Sequence, residues 1–500
     1  QGKIRANAIR KTNVNRAYPQ RSFSCCHDQP PTANRMLTMI ASTSCPQLAP
    51  AIAHSRYLQN LFLRYPQLAE TTQQQLNHPF SLAEMAQLLR PASSDEELAL
   101  QLRHLRQAVM ARLICRDLLG LADLAETVAV TSDLAEVAIS AALRFLTPSH
   151  ERFGDPIGEE SGAKQELIVV GMGKLGGREL NVSSDIDLIF IYAEDGQTNG
   201  MKSISNHEYF SQIGKRLIKL IGDSCADGFV FRVDMRLRPF GDSGPLVTSF
   251  AALENYLLTQ GREWERYAWI KARALSGSAA DAEGLMNLVT PFIYRKYLDY
   301  GAYHSMRELH SQIRREVAKK ERFDNIKLGP GGIREIEFIG QVFQLIRGGR
   351  NKTLRQRPTQ VILRELAAQG TLPDDTVTQL LAAYQFLRNL EHRIMYLDDA
   401  QTQMLPTQAD DQLRIALSMG YADWASFLGQ LNQHRATVTL QFEQIFSLPE
   451  QVNAQHESQS VDVYLNAEPD QLLQLGYQNP AEIQRRLNAL QDGSKYRQMP

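Results

Sequence analysis

Only about eight residues, Arg178 to Ser184 and their neighbours, separate a glycine turn from a pair of aspartates, and this gap limits what the chain can fold into. The turn, Gly171-Met172-Gly173-Lys174-Leu175-Gly176-Gly177, follows the apolar run Leu167 to Val170 and satisfies G-x-G-x-x-G. A dinucleotide-binding unit would need a whole crossover helix between its first two strands, at least about 10–12 residues. The gap is shorter, and such a unit would bury Asp185 and Asp187 at the start of its second strand. Glu194 and Asp195 do stand where a ribose-binding acid would, roughly 20 residues on, but the short gap outweighs them. A phosphate loop of the G-x-x-x-x-G-K type fails because Gly177 occupies the lysine position.

The aspartates carry the chemistry. Asp185 and Asp187 lie two apart at the head of the apolar run Leu188-Ile189-Phe190-Ile191-Tyr192, so their side chains emerge on one face of a strand. Adjacent like charges raise each other's pKa unless something neutralises them. A hard divalent cation does so, and Mg2+ favours carboxylate oxygens with substrate phosphates. Phe229 to Leu237 alternates and predicts a third strand, with Asp234, Arg232, Arg236 and Arg238 on one face and Val233, Met235 and Leu237 turned to the core. A third carboxylate among arginines suits two-metal chemistry at phosphorus. The competing reading is a capped turn with a solvated Asp187, since D-x-D alone is common. Glycines upstream, an apolar strand downstream and Asp234 beyond weigh against it.

With 500 residues, the chain is expected to form about three domains. Its 43% hydrophobic and 22% charged residues describe an ordinary globular protein, and a formal charge of -1 argues against nucleic-acid binding by bulk electrostatics. No apolar run approaches the roughly 20 residues that span a bilayer, and five cysteines without zinc spacing fit a reducing, cytoplasmic setting. Residues 1–50 form an irregular leader; its first stretch is basic but lies on no amphipathic stripe, and it is read as disordered or non-native. Residues 51–150 are helical, with starts at Ser94-Asp95-Glu96-Glu97 and Ser132-Asp133. An α/β unit occupies 151–290, and a helical bundle 291–448 contains the stripe Leu380, Leu381, Tyr384, Leu387 and Leu390. A polar linker, 449–460, precedes further helical spacing at 461–500, which stops as if truncated. The fold class is therefore α+β (mixed): a small sheet with helices, flanked by an N-terminal helical region and a C-terminal bundle.

The glycine turn, two acids on a strand and a third on a later strand resemble the nucleotidyltransferase superfamily. The wording Gly-Met-Gly-Lys-Leu-Gly-Gly-Arg-Glu-Leu-Asn-Val-Ser-Ser-Asp-Ile-Asp-Leu-Ile-Phe (171–190) is similar to the bacterial glutamine synthetase adenylyltransferase/adenylyl-removing enzymes. The stretches 231–241, 261–268 and 325–338 agree, and the resemblance runs from roughly 55 to 450. It implies a nucleotidyltransferase-fold sheet, two Mg2+ ions held by Asp185, Asp187 and Asp234, and a nucleotide phosphate held by Gly176, Gly177 and Ser184. Arg232, Arg236 or Arg238 would steer an anionic nucleophile. That family carries two tandem catalytic copies; the wording here resembles the N-terminal one, which removes AMP from a glutamine synthetase tyrosine with phosphate, releasing ADP. No second Lys-Leu-Gly-Gly…Asp-x-Asp follows in 191–500, which puts ATP-dependent adenylylation by this chain in doubt. Implied partners are adenylylated glutamine synthetase and the PII signalling protein, with no nucleic acid and no membrane.

Two stretches stay open or bland. The second glycine turn, Lys327 to Gly332, followed by Arg334, Glu335 and Glu337, is either part of the site or a helix start with an exposed charged first turn. Glu391-His392-Arg393 reads as a solvated helical face. Rival functions are a transferase acting on another acceptor, such as a uridylyltransferase of nitrogen signalling, a silent module binding nucleotide or PII, and a dinucleotide oxidoreductase.

Overall fold

The computed structural model describes residues 45–147, 152–294 and 324–446; the first 44 residues of the leader, the linker and the terminal helical spacing lie outside them. Six helices come first: α1 (Ala49–His54), α2 (Arg56–Arg64), α3 (Pro66–Gln74), α4 (Leu82–Gln87), α5 (Asp95–Leu118) and α6 (Leu124–Leu146). Ser94 caps α5 as its sequence predicts, its hydroxyl accepting from the Glu97 amide. Ser132-Asp133 is not a helix start. The helix begins at the cap Asp123, Ser132 bonds back to the Val128 carbonyl, and Asp133 reaches out to Arg178.

The strands and helices that follow are β1 (Pro156–Gly158), β2 (Ile168–Gly171), α7 (Gly173–Gly176), β3 (Ile186–Tyr192), β4 (Gly196–Thr198), α8 (Asn206–Gly222), β5 (Val233–Asp234), β6 (Val247–Ser249), α9 (Phe250–Thr259), α10 (Glu263–Trp269), β7 (Arg273–Ala274) and α11 (Ala279–Ile293). Strand β3 is the axis of the main sheet. It pairs antiparallel with β2, which pairs antiparallel with β7. Its other edge takes β5 and β6, both parallel, one after the other along its length. Because β2 and β3 are antiparallel and joined through a four-residue helix, they form no βαβ crossover, and the dinucleotide-binding topology is absent here.

The expected strand from Phe229 to Leu237 shrinks to Val233–Asp234. Asp234 Oδ1 accepts from the Arg236 backbone amide at 2.8 Å, and the Arg238 amide turns back to the Met235 carbonyl, so local hydrogen bonds take the chain out of the ladder. The alternation fails with it: Val233 and Met235 pack on one core, Leu237 on the other.

The bundle comprises α12 (Ile333–Arg347), α13 (Thr359–Ala368), α14 (Asp374–Asp398), α15 (Ala409–Ser418) and α16 (Trp424–Phe446). The architecture is the mixed, mainly helical α+β one expected, with sixteen helices among the described residues. Side chains alternate across the sheet, and both faces are covered. Val169, Leu188 and Phe190 enter a core shared with α5, α6 and α8, whereas Ile168, Val170, Ile189 and Ile191 enter one shared with α9, α12 and α14. Helix α14 serves both cores, because Tyr396 near its end joins the first.

Candidate active site

The first glycine turn and the head of β3 meet the second glycine turn around a cavity of about 440 Å3. One wall carries Gly173, Lys174, Ser184, Asp185 and Asp187; the other carries Lys327, Arg334, Glu337 and Gln341, with Tyr267 and Lys271 between. That volume suits a small ligand with a few convergent polar groups.

Asp185 and Asp187 flank Ile186, which is buried, so both carboxylates leave the same face of β3. Asp187 lies opposite Asp234 in the parallel register of β3 and β5. Burial, then the charges of Asp185 and Asp234, push the Asp187 carboxyl up to about 7. Asp185 Oδ1 accepts from Gln401 Nε2 at 2.8 Å. Both oxygens of Asp234 are taken by the Arg236 guanidinium, which holds its carboxyl below the ordinary value.

The remaining expected site residues spread out. Ser184 lines the cavity, but Gly176 and Gly177 are not among its lining residues. A Cβ on Gly176 would overlap the backbone carbonyls of Lys271 and Gly171, so this glycine permits close packing of the turn on the β7 segment. Arg232 stacks over Phe229 and donates to the Ser183 carbonyl; Arg236 is largely exposed; Arg238 bonds the Met235 carbonyl at 2.8 Å. The arginines therefore share no common face, and only Arg236 touches a candidate carboxylate.

The solvated-face reading of Glu391-His392-Arg393 is overturned. Glu391 and His392 are 0% exposed, and Glu391 pairs with Lys174 at 2.9 Å, tying the glycine turn to α14. Burial would raise Glu391, but Lys174, Arg388 and Lys327 more than offset it and hold the carboxyl at about 2. Burial pulls Lys174 down to about 8; Glu391 and, more weakly, Glu337 oppose this, while Lys327 and Arg388 add to it. Arg393 is bonded to Asp117 of α5 at 2.6 Å, and Tyr396 shares that carboxylate. The second glycine turn belongs to the cavity, and its Glu335 is buried against the Gly331 amide, so its first turn is not simply an exposed charged face.

Sequence reasoning gave no role to Lys174, Lys271, Tyr267, Gln341 or Gln401. Lys174 stands within the stretch 171–190 and Tyr267 within 261–268, whereas Lys271, Gln341 and Gln401 lie on no quoted motif.

Residues 45–285 match the family model described as glutamate-ammonia ligase adenylyltransferase. That stretch is similar to this family. It is an enzyme family, of nucleotidyltransferases, as the expected recognition had it. Residues 307–446 match a second model, described as GlnD PII-uridylyltransferase. The relatives include proteins named bifunctional glutamine synthetase adenylyltransferase/adenylyl-removing enzyme. One from Chromobacterium violaceum is 57% identical over 466 residues, covering 92% of this chain and 52% of its own length. One from Nitrosomonas eutropha is 48% identical over 489 residues, covering 93% and 52%. The chain thus spans about half the length of the curated relatives it matches. Among the described residues, no helix is long and apolar enough to cross a membrane.

Proposed function

We propose that this chain removes AMP from an adenylylated tyrosine of glutamine synthetase by phosphorolysis, releasing ADP, with Asp185, Asp187 and Asp234 as the catalytic carboxylates. The observation that carries the reading is the aspartate pair at the head of β3, lining one cavity with Lys327 and Arg334, in a chain whose relatives are named for adenylylation and its reversal. The resemblance of 171–190 to the N-terminal catalytic copy favours removal over attachment.

The donor set suits a hard cation. It is all carboxylate oxygen, and burial, then the charges of Asp185 and Asp234, raise the Asp187 carboxyl. Asp185 and Asp187 would hold Mg2+, in two ions if Asp234 joins. Among the described residues, no three acidic, His or Cys side chains already stand close enough to enclose an ion, so Asp234 would join only on releasing the exposed Arg236. A bound divalent ion would neutralise charge on the reacting oxygens. The protein's own part is positioning: the turn from Gly173 to Ser184 presents one wall to the adenylyl group, and Gln401 orients Asp185. The leaving tyrosine, with an ordinary pKa of about 10, needs little help from a dedicated acid. The PII protein is the proposed regulator and the cytoplasm the proposed location.

Incubation with adenylylated glutamine synthetase, phosphate and Mg2+ is expected to release ADP. Asp185→Asn with Asp187→Asn should abolish that release without altering the circular dichroism spectrum; turnover by a well-folded double variant would sink the assignment. The match of 307–446 to a uridylyltransferase model favours one second reading, uridylyl transfer on another acceptor, which labelled UTP would reveal.

A further inference from the structure

The two walls of the cavity differ in how their charges are spent. On the glycine-turn side Lys174 is committed to Glu391, and between the walls Lys271 is committed to Glu179 and the Thr359 hydroxyl. On the opposite side Lys327 and Arg334 line the cavity, and among the described residues no carboxylate pairs with either. Lys327 stands close enough to Asp187, Glu391 and Lys174 to act on the charge of all three. Glu337 lies three residues beyond Arg334 on the same helix, so this wall keeps a surplus positive charge facing the aspartates.

The support beneath these cations is rigid. Asn325 Oδ1 accepts from the Lys327 and Leu328 amides at 2.9 and 2.7 Å, and the Gly331 amide donates to Glu335 Oε2 at 3.1 Å. Gly331 has φ +67°, and a Cβ there would overlap the Arg435 carbonyl, so the turn is pressed against α16. Its amides at Lys327, Leu328 and Gly331 are consumed internally. Positive charge is therefore offered by the two side chains rather than by a free backbone nest.

We propose that Lys327 and Arg334 form an oxyanion subsite that binds inorganic phosphate and presents it to the adenylyl phosphorus beside Asp187. This rests on the phosphorolysis reading above. A dianion brought next to two carboxylates needs positive charge that no other acid has claimed, and among the described residues of this cavity those two side chains supply it. In the step itself an oxygen of hydrogenphosphate bonds to the adenylyl phosphorus and the bond from phosphorus to the tyrosyl oxygen breaks. The hydrogenphosphate proton ends on the tyrosyl oxygen, giving ADP and free tyrosine.

The test uses the whole chain with K327Q, R334Q and the charge-keeping K327R and R334K, each checked for folding by circular dichroism and melting. Initial ADP release is measured against phosphate at saturating adenylylated glutamine synthetase, and labelled phosphate binding is measured by equilibrium dialysis with Mg2+. Each neutral variant is expected to raise the KM for phosphate by about tenfold or more, leave the KM for the protein substrate within about twofold, and lose labelled phosphate, with the charge-keeping variants in between. A folded neutral variant with unchanged phosphate KM and binding would overturn the subsite, as would a rise confined to the protein substrate. If the unaltered chain binds phosphate through these residues but releases no ADP, the subsite stands and the phosphorolysis reading falls. If it binds none, the subsite falls.

Discussion

His392 shows how far a single side chain can depart from its local pattern. It sits in a polar triplet on a long helix, yet it is fully buried with Nε2 3.1 Å from Asn181 Oδ1. Burial, then Arg388, lower its pKa to about 3, against the opposing pull of Asp117 and Glu391; Arg393 adds to the lowering. A base with a depressed folded pKa stays neutral in the native state while the unfolded chain protonates below about 6.5. Stability from this group is therefore intact above about pH 6.5 and drains away as pH falls towards 3. The slope approaches about 1.4 kcal/mol per pH unit within that window. His392→Gln should flatten that part of the stability profile in urea titrations between pH 7 and 4; an unchanged slope would count against a buried neutral imidazole.

At the scale of elements, the glycine turn has two jobs that adjacent residues divide. Gly176 has carbonyls where its Cβ would be, so G176A must push α7 away from the β7 segment. Gly177 would meet chiefly the side chains of Glu179, at 3.0 Å, and Lys271, at 3.4 Å, rather than backbone at overlapping distance. Overpacking against backbone costs typically 1–3 kcal/mol or more, so G176A should lower the denaturation midpoint clearly and G177A much less. Because α7 carries Lys174 into the cavity, G176A should also depress ADP release. Equal effects of the two substitutions would mean that the turn is not seated as described.

Across the whole molecule, the sheet and the bundle are joined by buried charge as well as by apolar packing. Glu179 follows the glycine turn and is held by Lys271, the Thr359 amide and the Tyr384 hydroxyl; its backbone carbonyl accepts from Arg388. Glu179→Gln removes the carboxylate while leaving Lys271 buried, a change that typically costs about 3–5 kcal/mol. With one network spanning both parts, Trp269 beside the sheet and Trp424 in the bundle should report a common unfolding transition, shifted together by the substitution. Two separate transitions, only one of them moved, would show that the parts unfold independently.

Local order was legible from the chain alone. The apolar runs at β2 and β3, the Ser94 cap and the short gap from the glycines to Asp185 depend on neighbours a few residues away, and each is visible in composition and spacing. The gap in particular excluded a crossover helix, and β2 and β3 are indeed antiparallel. The strand forecast around Asp234 failed because an aspartate hydrogen-bonding the amide two residues on can end a ladder that alternation alone would extend. What only the tertiary structure decided is the opposite wall of the cavity and the fate of Glu391 and His392. Lys174 and Glu391 are 217 residues apart, and whether a charged triplet faces water or a partner on another element leaves no periodic trace in sequence. The aspartate pair and its glycine turn were thus fixed by short-range chemistry, whereas the cations facing them were placed by the packing of the bundle against the sheet.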